Sequence, residues 1–201
     1  MRIIAHRRNT VAELQDTPVE CGVEVDVRSH GDRLIVQHDP FSDGESFDDW
    51  VEAYRHRTLI LNVKEEGLES RLIRLMADRN IEDYFFLDQS FPFLYQTATR
   101  GERRCAVRVS EFESVDTALA LAHLIDWVWV DCFTCFPLDS AGWLRLTEAG
   151  LRLCLVSPEL LGRDAIPEIR ALRHALREWG VEPHAVCTKL AMAPAWTEAL
   201  A

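Results

Sequence analysis

At 201 residues, 48% of them hydrophobic, the chain is long enough for one domain with a substantial core and too apolar to stay unfolded. Its 22 Lys and Arg against 33 Asp and Glu give a net charge of -11, which argues against general binding to nucleic acid or to an anionic lipid surface. No apolar run approaches the roughly 18 residues of a membrane-spanning helix, and "MRIIAHRRNT" lacks the apolar stretch of a secretory leader. A cytoplasmic location without stable membrane insertion is therefore expected.

The first predicted strand is "RIIAH" (2–6), and "TVAE" from Thr10 has the Thr-x-x-Glu form of a helix-opening capping box. "GVEVDV" (22–27) is the second strand, and "RLIVQH" (33–38), after the turn-like "SHGD", is predicted as its hairpin partner. "TLILNV" (58–63) follows, then a helix over 68–79 with Leu68, Leu72, Leu75 and Met76 on one face. "DYFFLD" (83–88) precedes "SFPFLY" (90–95), whose aromatics are read as helix packing, with a grip on an apolar or sugar-like part of a substrate as the alternative. "CAVRVS" (105–110) and "DWVWVD" (126–131) are the next strands, the second placing Trp127 and Trp129 on the face of Asp131. "LRLCLVS" (151–157) leads to a helix over 164–179 that aligns Ile166, Ile169, Leu172, Leu176 and Trp179, and "AVCTK" (185–189) is the last strand.

Eight near-continuous apolar runs separated by helices imply a parallel sheet covered on its faces. The expected fold is α/β: a compact (β/α)8 TIM barrel over residues 1–201, one domain, with a hairpin strand after the second strand. A doubly wound open sheet is the alternative, but no Gly-rich phosphate loop follows the first strand. The six cysteines, at 21, 105, 132, 135, 154 and 187, read as free thiols, and the Cys132-x-x-Cys135 spacing as coincidence.

In such a barrel the active site lies at the C-terminal strand ends, where residues i and i+2 share a face. These ends carry His6 and Arg7; Glu24, Asp26 and Arg28; His38 and Asp39; Asn62 and Lys64; Asp88 and Ser90; Arg108 and Ser110; Asp131; Ser157 and Glu159; and Lys189. Two unpaired carboxylates inside the second strand would be costly or would be forced to protonate. One divalent cation, Mg2+ or Ca2+, held by Glu24, Asp26 and the amide oxygen of Asn62 would relieve that cost. The alternative is an ion-pair network with Arg28, Lys64 and Arg108. His6 and His38 suit paired general acid and base work, and Arg7 and Lys64 beside them suit phosphoryl oxygens. Arg108, Asp131 and Glu159 are further candidates for substrate contact.

The stretches "AHR" (5–7), "VEVDV" (23–27), "VQHDP" (36–40) and "LNVK" (61–64) resemble the glycerophosphodiester phosphodiesterase family, among the phosphatidylinositol-specific phospholipase C-like phosphodiesterases. That family shows His-Arg-Gly, Glu-x-Asp, His-Asp-Pro after a hairpin, and Glu-x-Lys in the same order. The resemblance covers about the first third of the chain. It implies metal-dependent cleavage of a small phosphodiester, with His6 and His38 as the acid/base pair, Glu24 and Asp26 as metal ligands, and Arg7 and Lys64 on the phosphate. In relatives a hydroxyl of the substrate's own alcohol can attack phosphorus, and in that scheme His38 would protonate the leaving alkoxide.

The departures from the pattern are specific. The family's third carboxylate ligand falls at Asn62, with Glu65 or Glu66 as candidates to compensate. Arg8 replaces the glycine after His-Arg, and the stretch after "HDP" is shortened to "FSDGESFDDW". Asn62 keeps open a non-catalytic phosphate-binding barrel, whereas a ring-shaped pocket lined by Trp or Phe would favour another metal-dependent barrel enzyme acting on a sugar or sugar phosphate.

Overall fold

A computed structural model of the chain describes residues 1–198. Each of the eight apolar runs is a strand, and helices separate them as expected. The chain groups into two compact units, Ala5–Cys105 and Met1–Ile4 with the chain from Ala106 on, although no linker was visible in the sequence.

The unit Ala5–Cys105 opens with α1 (Val11–Gln15), whose N-cap Thr10 accepts the Glu13 backbone N–H through its hydroxyl at 3.1 Å, as the capping box implies. Its sheet holds β2 (Gly22–His30), β3 (Arg33–Val36), β4 (Glu45–Ser46), β5 (Leu59–Val63) and β6 (Tyr84–Leu87) in the order β4-β3-β2-β5-β6. β2 pairs antiparallel with β3, confirming the hairpin, and parallel with β5, which pairs parallel with β6. The two-residue β4, antiparallel to β3, is too short to show in a hydrophobic pattern. Val23, Val25 and Val27 are fully buried, and so are Glu24 and Asp26 on the opposite face of β2. Both faces of this strand are therefore interior.

Three helices complete the unit: α2 (Phe47–Ala53), α3 (Glu69–Asp78) and α4 (Phe91–Thr99). Trp50 stacks between Phe47 and Tyr54, with ring centroids 5.8 and 5.9 Å away, and its indole N–H donates to the Arg8 carbonyl at 2.7 Å. On α3, Leu72 and Met76 are buried as the helical spacing predicts. On α4 the buried stripe is Leu94, Thr97 and Ala98, whereas Phe91 and Tyr95 stand more than half exposed. The expectation that these aromatics pack inward therefore fails for two of the three: Tyr95 lies one residue off the buried stripe, and Phe91 stands in the first turn before that stripe begins.

The other unit contains β1 (Arg2–Ala5, of which Arg2–Ile4 belong here), β7 (Ala106–Val109), β8 (Trp127–Val130), β9 (Arg152–Val156) and β10 (Ala185–Thr188), ordered β1-β10-β9-β8-β7. The β7·β8, β8·β9 and β9·β10 pairs are parallel. Its helices are α5 (Val115–Leu121), α6 (Ser140–Glu148), α7 (Ala165–Glu178) and α8 (Ala193–Thr197). α7 buries Ile169, Leu172 and Leu176 but leaves Ile166 exposed, so its apolar stripe meets the core only after the first turn. Trp127 and Trp129 are buried, and the Arg152 guanidinium lies 4.3 Å from the centre of the Trp127 ring.

All six cysteines are free. Burial raises the Cys132 thiol to about 11, so it is an inert packing group, and Cys135 is exposed. Among the described residues no helix is long and apolar enough to cross a membrane.

Candidate active site

The unit Ala5–Cys105 concentrates the predicted chemistry at the end of β2. Alternation along this strand sends Glu24 and Asp26 the same way, and the parallel register sets Asn62 of β5 beside Asp26. Lys64 follows β5 directly, and its backbone N–H donates to the Val27 carbonyl at 3.0 Å, which carries the β2·β5 pairing to the strand end.

The segment after β1 folds back over these acids. The Arg8 N–H donates to the Glu24 carbonyl at 2.8 Å, and the Arg7 N–H donates to Glu24 Oε2 at 2.7 Å. Arg7 holds φ at 53°, the left-handed region that a residue with a Cβ resists, and this turn brings its N–H onto the carboxylate. Asn9 grips Asp26 twice: its Nδ2 donates to Oδ2 at 2.7 Å, and its Oδ1 accepts the Asp26 N–H at 3.0 Å.

The remaining contacts complete one connected network. The Asn62 amide donates to Glu24 Oε1 at 2.8 Å, and His6 Nε2 lies 3.8 Å from Glu24 Oε2. Arg7 Nε is 3.4 Å from Asp26 Oδ2. Lys64 Nζ sits 3.2 Å from Asp26 Oδ1 and 3.1 Å from Asp88 Oδ2. Asp88, just after β6, is also left-handed, at φ 59°. Burial and the neighbouring Asp26 push the Glu24 carboxyl up to about 7, against the opposing hydrogen bonds from Asn62 and Arg7 and the charge of Lys64.

His38 joins the network through the main chain. The Arg28 guanidinium donates from Nε and Nη2 to the His38 carbonyl at 3.1 and 2.9 Å, and from Nη1 to the Lys64 carbonyl at 3.0 Å. His38 Nδ1 lies 2.8 Å from Asp39 Oδ1, and this hydrogen bond, with charge from His38, Arg7 and Arg28, holds the Asp39 carboxyl below its usual range. His6, Arg7, Glu24, Asp26, Asn62 and Lys64 are thus brought together directly, and His38 is tied to them by Arg28. Arg28 was expected only as a counter-charge; it fixes two strand ends instead. Asn9 and Asp88 were not expected as partners of the acids, and their nearness to Asp26 and Lys64 depends on the two left-handed turns.

Arg108, Asp131 and Glu159 belong to the other unit. Arg108 Nη1 pairs with Asp131 Oδ2 at 3.3 Å. Glu159 Oε1 accepts the Thr188 hydroxyl at 2.6 Å and the Lys189 N–H at 3.0 Å, while Oε2 accepts the Ser157 hydroxyl. Both oxygens of this carboxylate are bonded within the chain.

A divalent cation between Glu24, Asp26 and Asn62 would need oxygen donors that face a common point. Two buried oxygens, Asp26 Oδ1 and Asn62 Oδ1, have no hydrogen-bond donor. Against a cation, Asp26 Oδ1 already faces the Lys64 ammonium, and the other three carboxylate oxygens of Glu24 and Asp26 accept N–H groups. Asn62 turns a donor, not its oxygen, toward Glu24. Of the two acids considered as compensation, Glu65 spends its Oε1 on the Ser29 N–H at 2.8 Å. Among the described residues no three His, Cys, Asp or Glu side chains gather around a common point suited to an ion. As arranged, these residues do not fit a resident Mg2+ or Ca2+, each of which needs about six or more oxygen ligands.

A glycerophosphodiester phosphodiesterase from Agrobacterium tumefaciens str. C58 superposes with a TM-score of 0.64 at 15% identity, covering 93% of this chain and 94% of that one. The likeness shows the fold. A glycerophosphoryl diester phosphodiesterase from Parabacteroides distasonis ATCC 8503 gives 0.61 at 14% identity, over 92% of this chain and 81% of the other. A mutant tryptophan synthase α-subunit from Pyrococcus furiosus gives 0.52 at 10% identity, over 92% of this chain and 86% of the other, so the architecture is shared more widely than the chemistry. No protein-family model matches the sequence, and no curated protein matches it.

Proposed function

We propose that this chain cleaves a small phosphodiester of the glycerophosphodiester kind, using His6 and His38 as a general acid/base pair. The observation that carries the reading is the network itself: His6, Arg7 and Lys64 all meet the Glu24–Asp26 pair, and Arg28 ties His38 to the backbone of Lys64. The solved phosphodiesterases of similar fold support it. The closed (β/α)8 barrel expected from the sequence is part of this proposal and rests on the same likeness of fold.

In this reading Arg7 and Lys64 bind the phosphoryl oxygens and draw the charge that grows on them in the transition state. A hydroxyl, from water or from the substrate's own alcohol, attacks phosphorus and yields its proton to one histidine. The P–O bond to the leaving alcohol breaks, and the other histidine protonates that oxygen. His38, with Nδ1 held by Asp39, presents Nε2 to the substrate and is assigned the acid role. His6, whose Nε2 lies 3.8 Å from Glu24 Oε2, is assigned the base role. No step is routed through a metal.

The test is turnover of bis(p-nitrophenyl) phosphate and of glycerophosphodiesters. His6→Ala and His38→Ala should each reduce it by ~100-fold or more. Full activity in both variants would remove the acid/base assignment. Phosphate binding without turnover under any condition would move the chain to the non-catalytic binding reading.

A further inference from the structure

We infer that the site is built to work without a divalent cation, with the Lys64 ammonium giving Asp26 the positive partner that an ion would otherwise supply. This rests on the reading of the cluster as a phosphodiester site, and it concerns how that site manages its charge.

Lys64 carries the argument. Its Nζ lies between two carboxylates, 3.2 Å from Asp26 Oδ1 and 3.1 Å from Asp88 Oδ2, and its side chain is only 15% exposed. An ammonium has three N–H groups. One is donated to Asp88 Oδ2, Asp26 Oδ1 is met as an ion pair, and the ammonium keeps donor capacity for a ligand oxygen. Arg7 behaves similarly: Nε meets Asp26 Oδ2, and its half-exposed guanidinium offers the Nη groups to a ligand. Glu24 is held by neutral donors, the Arg7 N–H and the Asn62 amide. A cation entering between Glu24 and Asp26 would have to turn the Asn62 amide over and displace Lys64 from Asp26. Asn62 is decisive because it adds an N–H to Glu24 where a third carboxylate would have added negative charge and required a cation.

The experiment is thermal unfolding in EDTA against millimolar Mg2+, Ca2+ and Mn2+, with calorimetric titration of each ion, on the full chain. A cation bound by the native state alone raises the unfolding temperature. The expected result is no shift and no saturable heat for the wild type, and hydrolysis in EDTA equal to that with each ion. Asn62→Glu should gain a cation-dependent rise in unfolding temperature. Lys64→Met should lose turnover, with no rescue by any of the three ions. A saturable shift in the wild type that Glu24→Gln abolishes would overturn the inference. If Asn62→Glu does not fold, the wild-type titrations still decide. The two proposals fail separately: absence of hydrolysis under all conditions sinks the phosphodiesterase reading, whereas hydrolysis that requires an added cation sinks this inference alone.

Discussion

Asn62 is paired in register with Asp26, yet its amide reaches diagonally to Glu24, donating to Oε1 at 2.8 Å. That bond is one of the few forces that favour the charged form of a carboxylate 1% exposed. Asn62→Ala leaves a buried acceptor without its donor, at a cost of about 1–3 kcal/mol, measurable by urea denaturation.

The same carboxylate sets a pH dependence. The folded Glu24 carboxyl lies near 7, above its usual value of 4.5, because burial and Asp26 disfavour the charge. The folded state therefore holds the proton more tightly than the unfolded chain. The resulting stabilisation is complete below about 4.5 and is lost as pH rises through about 7. Urea midpoints of the wild type should carry this downward contribution between those values, and Glu24→Gln should lack it. Identical slopes would show that Glu24 is charged throughout.

Arg28 clasps the carbonyls of His38 and Lys64 with one guanidinium. Arg28→Lys keeps the charge and loses the fork. As Arg28 touches only the main chain of the two residues, it is a positioning residue. Its loss should lower kcat for phosphodiester turnover with little change in KM, while the pH profile of the remaining activity keeps its shape. A shifted profile would mean that Arg28 acts on the histidines electrostatically.

In the other unit, Glu159 joins Ser157 after β9 to Thr188 and Lys189 at the end of β10, and the Trp196 indole donates to the Ser157 hydroxyl at 2.8 Å. Glu159→Ala should cost about 1–3 kcal/mol, since it strands several donors at once. The intrinsic fluorescence of the folded variant should change, because the Ser157 hydroxyl that accepts the Trp196 indole N–H loses its own carboxylate acceptor.

His184 provides a second pH test, of opposite sign. Its Nδ1 accepts the Leu153 N–H at 3.1 Å, which requires the neutral ring, and burial, followed by the charge of Arg152, lowers its pKa below the usual 6.5. The stability it supplies is therefore full above 6.5 and is lost as pH falls through the lower folded value. Acid-side unfolding of the wild type should be steeper than that of His184→Gln, which cannot be charged. Equal steepness would place the acid lability elsewhere.

The strands were legible because β-branched and aromatic runs of the right length do not depend on distant residues for their pattern. The acid pair was legible for the same reason, since alternation alone puts Glu24 and Asp26 on one face. The helical period placed Leu72, Met76, Ile169, Leu172 and Leu176 correctly. It failed at Ile166, which stands exposed in the first turn of α7.

The sequence by itself therefore determined which groups exist at each strand end and which share a face. Only the tertiary structure decided how they satisfy one another. Asn62 offers either an oxygen or an N–H, and its residue type is silent on which one faces Glu24. Arg28 and Lys64 are cations in any reading, yet one binds main-chain carbonyls and the other bridges two carboxylates. Asn9 and Asp88 became partners through the left-handed turns at Arg7 and Asp88 itself. Hydrogen bonds of a few ångströms depend on backbone direction and on neighbours far away in the chain, and no local pattern records either.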